Sequence, residues 1–345
     1  MRRIAILCLL FLSISISRSF AQVNVGESSK LSGLVYSDYY WMASSHDESL
    51  EGSNGFWIRR IYFTYDHKVN ESFSSRLRLE MNGEGDFTTS ARMTPVVKDA
   101  WLKWENERHQ ILAGISPTPT FELVRDTWGY RAVEETPLNL QNFGSSRDFG
   151  IAAKGTIGED EKLGYHVMVG NGHGHNGAEI DKGKKLMLSI SYQLTDQWVV
   201  EVYGDRNSLS GDQSWTTLQG FAGYRTEDLS FGALYARQHR SRPAPLGDLN
   251  LDIASVFARA AFTASTTGFF RVDHMFDPNP AGSNISYIPF SDDAESTLLI
   301  GGVDIAIDSG IHLIPNIEAV IYGETPLGNT PKSDLIPRLT LFYQF

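Results

Sequence analysis

Apolar and polar residues alternate along most of the chain with a period of two, the repeat of a β-strand. In "KLMLSISYQL" Leu186, Leu188, Ile190, Tyr192 and Leu194 share one face, and Ser189, Ser191 and Gln193 the other. Across 72–82, Phe73, Leu77, Leu79 and Met81 oppose Arg76, Arg78, Glu80 and Asn82. In "GYHVMVG" Tyr165, Val167 and Val169 oppose His166 and Met168. Sixteen such segments lie near 30–43, 55–67, 71–83, 96–105, 109–116, 147–157, 162–171, 184–194, 197–206, 216–226, 228–239, 250–263, 268–277, 295–307, 310–323 and 333–345. For 216–226 and 250–263 the pattern leaves the inner face open. No second domain, internal repeat or low-complexity linker interrupts the series.

The connections alternate in length. "KVNE", "NERH", "GEDE", "LTDQ", "TEDL", "ASTTG" and "DSG" are tight; the stretches near 44–54, 84–95, 117–146, 172–183, 207–215, 240–249, 278–294 and 324–332 are long. Loop length sorted by parity is what an all-β, up-and-down antiparallel barrel in an outer membrane requires, with short turns at one rim and long loops at the other. Tyr39, Trp41, Trp57, Trp104, Tyr192, Trp198, Tyr224, Tyr235 and Tyr343 fall near predicted strand ends, where aromatic girdles form.

Both ends agree with export to such a membrane. "MRRIAILCLLFLSISISRSFAQ" has two arginines, an apolar run from Ile4 to about Ile16 and a small-x-small site before Gln22. It predicts a signal peptide at 1–21 and a barrel domain at 22–345. Cys8, the only cysteine, lies in the apolar run, so the mature chain forms no disulfide. At the other end "PRLTLFYQF" puts Leu339, Leu341, Tyr343 and Phe345 on one face. This is a lipid-facing last strand that pairs with the first. Without Arg2, Arg3 and Arg18 the 30 Lys and Arg become 27 against 41 Asp and Glu, a net of −14. That argues against a nucleic-acid binder, which wants a basic surface.

Charge on the lipid face of a strand costs about 2–4 kcal/mol for Arg or Lys. Arg76 and Arg78 are therefore expected inside. If Ile61, Phe63 and Tyr65 face lipid, Arg60, Tyr62, Thr64 and Asp66 face water; Arg59 then points outward at the rim unless a bulge turns it in. Lys103 shares a face with Asp99, Trp101 and Glu105. Arg60, Arg76, Arg78 and Lys103 form a candidate basic wall. The longest connection, 117–146, carries Glu122, Arg125, Asp126, Arg131, Glu134 and Glu135, with Phe121, Trp128 and Tyr130 as candidate anchors to the wall.

Three stretches, "GFWIRRIYFTYDHKVNESFSSRLRLEMN", "KDAWLKWENERHQILAGISPTPTFEL" and "AVEETPLNLQNFGSSRDFGIAAKGTIG", together resemble the phosphate-selective porin family of Gram-negative outer membranes. The resemblance covers 55–157. It implies a trimeric, water-filled, sixteen-stranded channel whose long loop after strand 5 folds inward and narrows the lumen. Tyr343 and Phe345 resemble the signal read by the barrel assembly machinery. Phosphate-selecting members carry basic residues on that loop. Here its start, "SPTPTFEL", lacks lysine, and Glu134 and Glu135 add acid. The expectation is therefore a porin for passive diffusion of small hydrophilic solutes and ions, with an anion- or phosphate-selective porin as the alternative. No enzyme, cofactor or metal is expected. Two readings compete: a hydrolase built on Ser189, Ser191 and His166, and a plugged barrel acting as anchor or adhesin. His173, His175 and Asp181, or Asp277, Asp292 and Asp293, are weak metal candidates.

Overall fold

The structure, a computed structural model, describes residues 23–24, 26–83, 85–87, 93–175, 182–211 and 213–345. The predicted signal at 1–21 and Asp181 lie outside the described residues. Sixteen strands form one closed antiparallel ring. The first eight are β1 (Ser29–Trp41), β2 (Asn54–Lys68), β3 (Phe73–Met81), β4 (Val96–Glu105), β5 (His109–Pro117), β6 (Arg147–Ile157), β7 (Leu163–Gly170) and β8 (Lys185–Gln193). The others are β9 (Trp198–Ser208), β10 (Ser214–Arg225), β11 (Leu229–Ser241), β12 (Leu249–Thr263), β13 (Thr266–Met275), β14 (Ser296–Asp308), β15 (Ile311–Tyr322) and β16 (Asp334–Gln344). Each pairs with its sequence neighbours, and β16 returns to β1 through Arg338↔Tyr40 to Gln344↔Leu34. A two-residue strand, Val23–Asn24, adds only to Lys30 and Leu31 at one end of β1. All sixteen expected segments are strands. The parity of loop lengths weakens at one place: β9 and β10 run on, leaving only 209–213 where a nine-residue loop was expected.

The wall is inverted relative to a water-soluble protein. Phe63, Leu77, Ile151, Val169, Leu188, Val202, Leu218, Val256, Phe270, Ile317 and Leu341 are exposed outside, while Thr64, Glu80, Asp99, Gln219, Arg271, Glu318 and Thr340 are buried inside. Ring closure removes the free strand edges that hydrocarbon cannot solvate. Leu339, Leu341, Tyr343 and Phe345 all face out, as expected, and Phe342 turns in against Tyr36.

Four register shifts interrupt the pairing: two lie beside tight turns, at Ala261–Thr263 and Ala306–Asp308, and two are β-bulges that break the alternation within the wall. Tyr36 pairs with Arg60 and Ser37 with Ile58, so Arg59 is an extra residue in β2. Arg78 pairs with Asp99 and Leu79 with Val97, so Lys98 is extra in β4. An extra residue lets two neighbours share one side. Arg59 thus turns inward and is only 5% exposed, against the simple alternation that put it at the lipid rim. Beyond the bulge the parity is reversed. Phe56, 86% exposed, faces out, and Trp57 packs inward on Tyr40, Phe87 and Tyr287. Trp57 therefore leaves the expected girdle, whereas Tyr39, Trp41, Tyr192, Trp198, Tyr235 and Tyr343 are exposed on the outer face.

Two loops pack against the inner wall. Residues 118–146 are not irregular throughout: they hold α1 (Glu122–Trp128) and α2 (Pro137–Leu140). Gly129 ends α1 at φ 76, the left-handed conformation that glycine adopts without strain. Trp128 meets Phe257 of β12 and Phe269 of β13, and Tyr130 stacks on Phe269 at 4.1 Å. Ser230 and Gln238 of β11 donate to the carbonyls of Thr127 and Phe143. The second loop, 276–295, buries Ile285, Tyr287, Ile288 and Phe290. Its Asn279 donates to the backbone and side-chain oxygens of Gln141.

The seam between first and last strands ends in a reciprocal pair. Gly33 N–H donates to Phe345 O at 2.8 Å and Phe345 N–H to Gly33 O at 2.9 Å. Deleting Phe345 removes both bonds at the last point of closure. The yield of barrel that resists unfolding by detergent at room temperature should fall sharply, as read by heat-dependent gel mobility; an undiminished yield would show that closure does not need this pair.

Candidate channel site

The bulges decide the charge inside β1–β6. Plain alternation would bring one charge of each dyad, Arg59-Arg60 and Lys98-Asp99, to the lumen; the extra residues bring all four. Three carboxylates are then each shared by two cations. Glu80 pairs with Arg60 at 3.3 Å and Lys98 at 2.9 Å. Asp99 pairs with Arg78 at 3.2 Å and also binds Arg147 of β6. Glu135 of the first loop pairs with Arg60 at 3.2 Å and also binds Arg131 and Asn139. Asp66 serves Arg76 alone, at 2.7 and 3.0 Å. Tyr62 lies between Arg60 and Arg78, with their guanidinium carbons 5.8 and 5.1 Å from its ring centre. Six cations (Arg60, Arg76, Arg78, Lys98, Arg131, Arg147) thus meet four carboxylates (Asp66, Glu80, Asp99, Glu135). All six cations line one cavity of about 360 Å³ beside the loop.

A second network lies behind this one, out of reach of solvent. Arg59 pairs with Glu134 at 2.8 Å and Asp38 at 3.4 Å and binds the carbonyl of Val133. Arg338 of β16 pairs with Asp38 at 3.2 Å and Glu318 at 2.7 Å and binds the carbonyl of Tyr287. Tyr287 in turn donates to the carbonyls of Arg59 and Gly83. Breaking one partner out of a buried pair costs about 3–5 kcal/mol, because the other charge is left uncompensated. These pairs therefore fix both loops to the wall instead of presenting charge to a solute.

No family model matches the sequence, and no curated protein sequence matches it. Solved structures do. The chain is similar to an anion-selective porin from Comamonas acidovorans at TM-score 0.68 and 11% identity, over 92% of this chain and 99% of that one. It is similar to the outer membrane channel DcaP of Acinetobacter baumannii at 0.63 and 12%, over 94% and 100%. OmpT of Vibrio cholerae in its trimer form gives 0.62 and 12%, over 92% and 99%. The fold is that of the outer-membrane porins.

Within the porin barrel the predicted site residues fall into groups. Arg60, Arg76 and Arg78 share the cavity wall. Lys103 instead pairs with Glu105 of its own strand at 2.6 Å. Of the loop residues, Arg131 and Glu135 join the wall, and Glu134 is withdrawn behind it. Arg125 pairs with Asp126 at 2.8 Å at the loop surface, although its side chain also borders the cavity. Glu122 crosses to the far side, to Lys154 of β6 at 3.2 Å and His166 of β7 at 3.1 Å. Simple alternation missed Arg59 and Lys98; the signal was two adjacent charges within a strand, which no unbroken pleat could keep from lipid. It also missed Arg147 as a partner of Asp99, since nothing in sequence links β4 to β6 there. Among the described residues no group of three His, Cys, Asp or Glu could hold a metal. Asp292 accepts from Ser283 N–H and Oγ, and Asp277 from Asp252 N–H, so both shape loops.

Burial works against the charge on Glu122, but the His166 hydrogen bond and Lys154 outweigh it and hold its carboxyl down to about 2 from 4.5. A depressed carboxyl stabilises the folded arrangement fully above its ordinary value and loses that contribution as pH falls through the depressed one. Docking of α1 should therefore be intact above about pH 4.5 and loosen toward pH 2. Hydrogen-exchange protection of 122–128 should drop over that window, and Glu122→Gln should remove the pH dependence. A Glu122→Gln profile identical to the wild type would rule out this attachment.

Proposed function

We propose that the chain forms a water-filled channel in a Gram-negative outer membrane, passing small hydrophilic solutes and ions by passive diffusion with a preference for anions. The excess of cations over carboxylates around the cavity carries this reading: with Arg125 and Glu122, which also border it, seven cations face five carboxylates. In a high-dielectric lumen, two uncompensated charges about 7 Å away are each worth roughly 0.6 kcal/mol to a monovalent ion. Together they enrich an anion several-fold, which is a weak preference and not specific recognition. The wider acidity of the chain does not cancel it, since a Debye length of about 8 Å at physiological salt screens distant loop charges. The sequence had suggested that Glu134 and Glu135 jointly offset the arginines. With Glu134 taken up by Arg59, the balance at the cavity moves toward anions.

Removal of residues 1–21 on export, assembly by the machinery that reads Tyr343 and Phe345, and a homotrimer in outer-membrane lipid belong to the same proposal. The trimer form of the OmpT neighbour supports the last. A hydrolase with Ser189 as nucleophile is disfavoured because Ser189 Oγ donates to Glu201 at 2.7 Å and not to His166.

Planar-bilayer recording in a salt gradient tests the proposal. Changing Arg60, Arg76 and Arg78 together to alanine should shift the reversal potential toward cations. The same loss of charge at Asp292 and Asp293, on the outer loop, should shift it far less. Equal shifts would reject the cavity as the selective element. Deleting 122–140 should raise single-channel conductance without loss of the barrel; unchanged conductance would place the loop off the ion path.

A further inference from the structure

A second cavity, of about 380 Å³, lies on the other side of α1 and opens toward the rim of short turns, where Arg108 and Glu161 border it. Its wall has the opposite character. Glu201 of β9 is 4% exposed and accepts from Ser189 of β8 at 2.7 Å and Gln219 of β10 at 3.3 Å. Both donors are neutral, and among the described residues no Lys, Arg or His pairs with it. The nearby cation, Lys154, is already held by Glu122, and Arg108 by Glu161 at 3.3 Å. Buried carboxylates are ordinarily paired with a cation, and this one is not.

His166 adds a second acceptor. It is 8% exposed, and its Nε2 has no partner. Nδ1 lies 3.1 Å from Glu122 Oε2, so the proton of the neutral ring belongs on Nδ1 and Nε2 carries the lone pair. Gly155, Gly164 and Ser191 line the same cavity beside these groups. A ligand here must bring positive charge and several N–H donors. We infer that Glu201 and His166 form a binding site for a primary ammonium group, on the short-turn side of the loop. A solute carrying both an ammonium and a carboxylate would then find a favourable region for each end on the two sides of α1.

The inference rests on reading the lumen as an aqueous path, and its test is separable from that reading. Ethylammonium chloride should bind the detergent-solubilised full-length protein in titration calorimetry, at ionic strength matched with sodium chloride. Glu201→Gln and, independently, His166→Phe should each weaken binding by roughly tenfold, the effect of losing one charge-assisted or buried hydrogen bond. Tetramethylammonium, which has no N–H, should bind more weakly than ethylammonium. Absence of ethylammonium binding, wild-type affinity in both variants, or equal affinity for tetramethylammonium would overturn the site. Potassium chloride conductance of the same preparation decides the channel reading independently: a conducting protein that ignores ethylammonium loses the site alone, and a non-conducting protein that binds it loses the channel alone.

Discussion

A strand in a lipid-facing wall gives alternate residues to water, and only an inserted residue can give it two in succession. Lipid makes that rule strict, because an ionised side chain on the outer face is costly. The interior of this protein is built where the rule is relaxed, at Arg59 and Lys98. The first bulge frees Arg59 to hold Asp38 and Glu134 while Arg60 reaches Glu80 and Glu135. The second lets Lys98 and Asp99 join the same lattice. The tie of the first loop through Glu134, and part of the charge of the cavity, follow from these two residues.

Much of the barrel was legible because its signal is repeated sixteen times. Each segment needs only the correct period, and errors of a residue or two at the ends leave the topology intact. The long connection after β5 was legible by length, and Phe121, Trp128 and Tyr130 by their size. What escaped was local and pairwise. The parity reversal at Arg59 moved Trp57 from the outer belt to the inner cluster, and a pattern averaged over a strand does not register one extra residue. Loop 276–295 escaped because its inward course depends on Asn279 meeting Gln141 and Tyr287 meeting Arg338, contacts between segments far apart in the chain. The separate duties of Glu134 and Glu135 escaped for the same reason: adjacent in sequence, they answer to different arginines.

The first loop divides the lumen into regions of unlike charge. On one side of α1, carboxylates are outnumbered by the cations that share them. On the other, Glu201 has only neutral donors and His166 offers a lone pair. Glu122 borders both cavities, and its ties to Lys154 and His166 give α1 a fixed place between them.

The buried network around Asp38 spans the seam of the ring. Asp38 belongs to β1, Arg338 to β16, Glu318 to β15 and Arg59 to β2, and through Arg59 the network reaches Glu134 of the loop. These groups meet only when the last strand has found the first. An incompletely assembled wall lacks partners that hold its inner loops. Finishing the cylinder and fixing its inner loops are thus a single event.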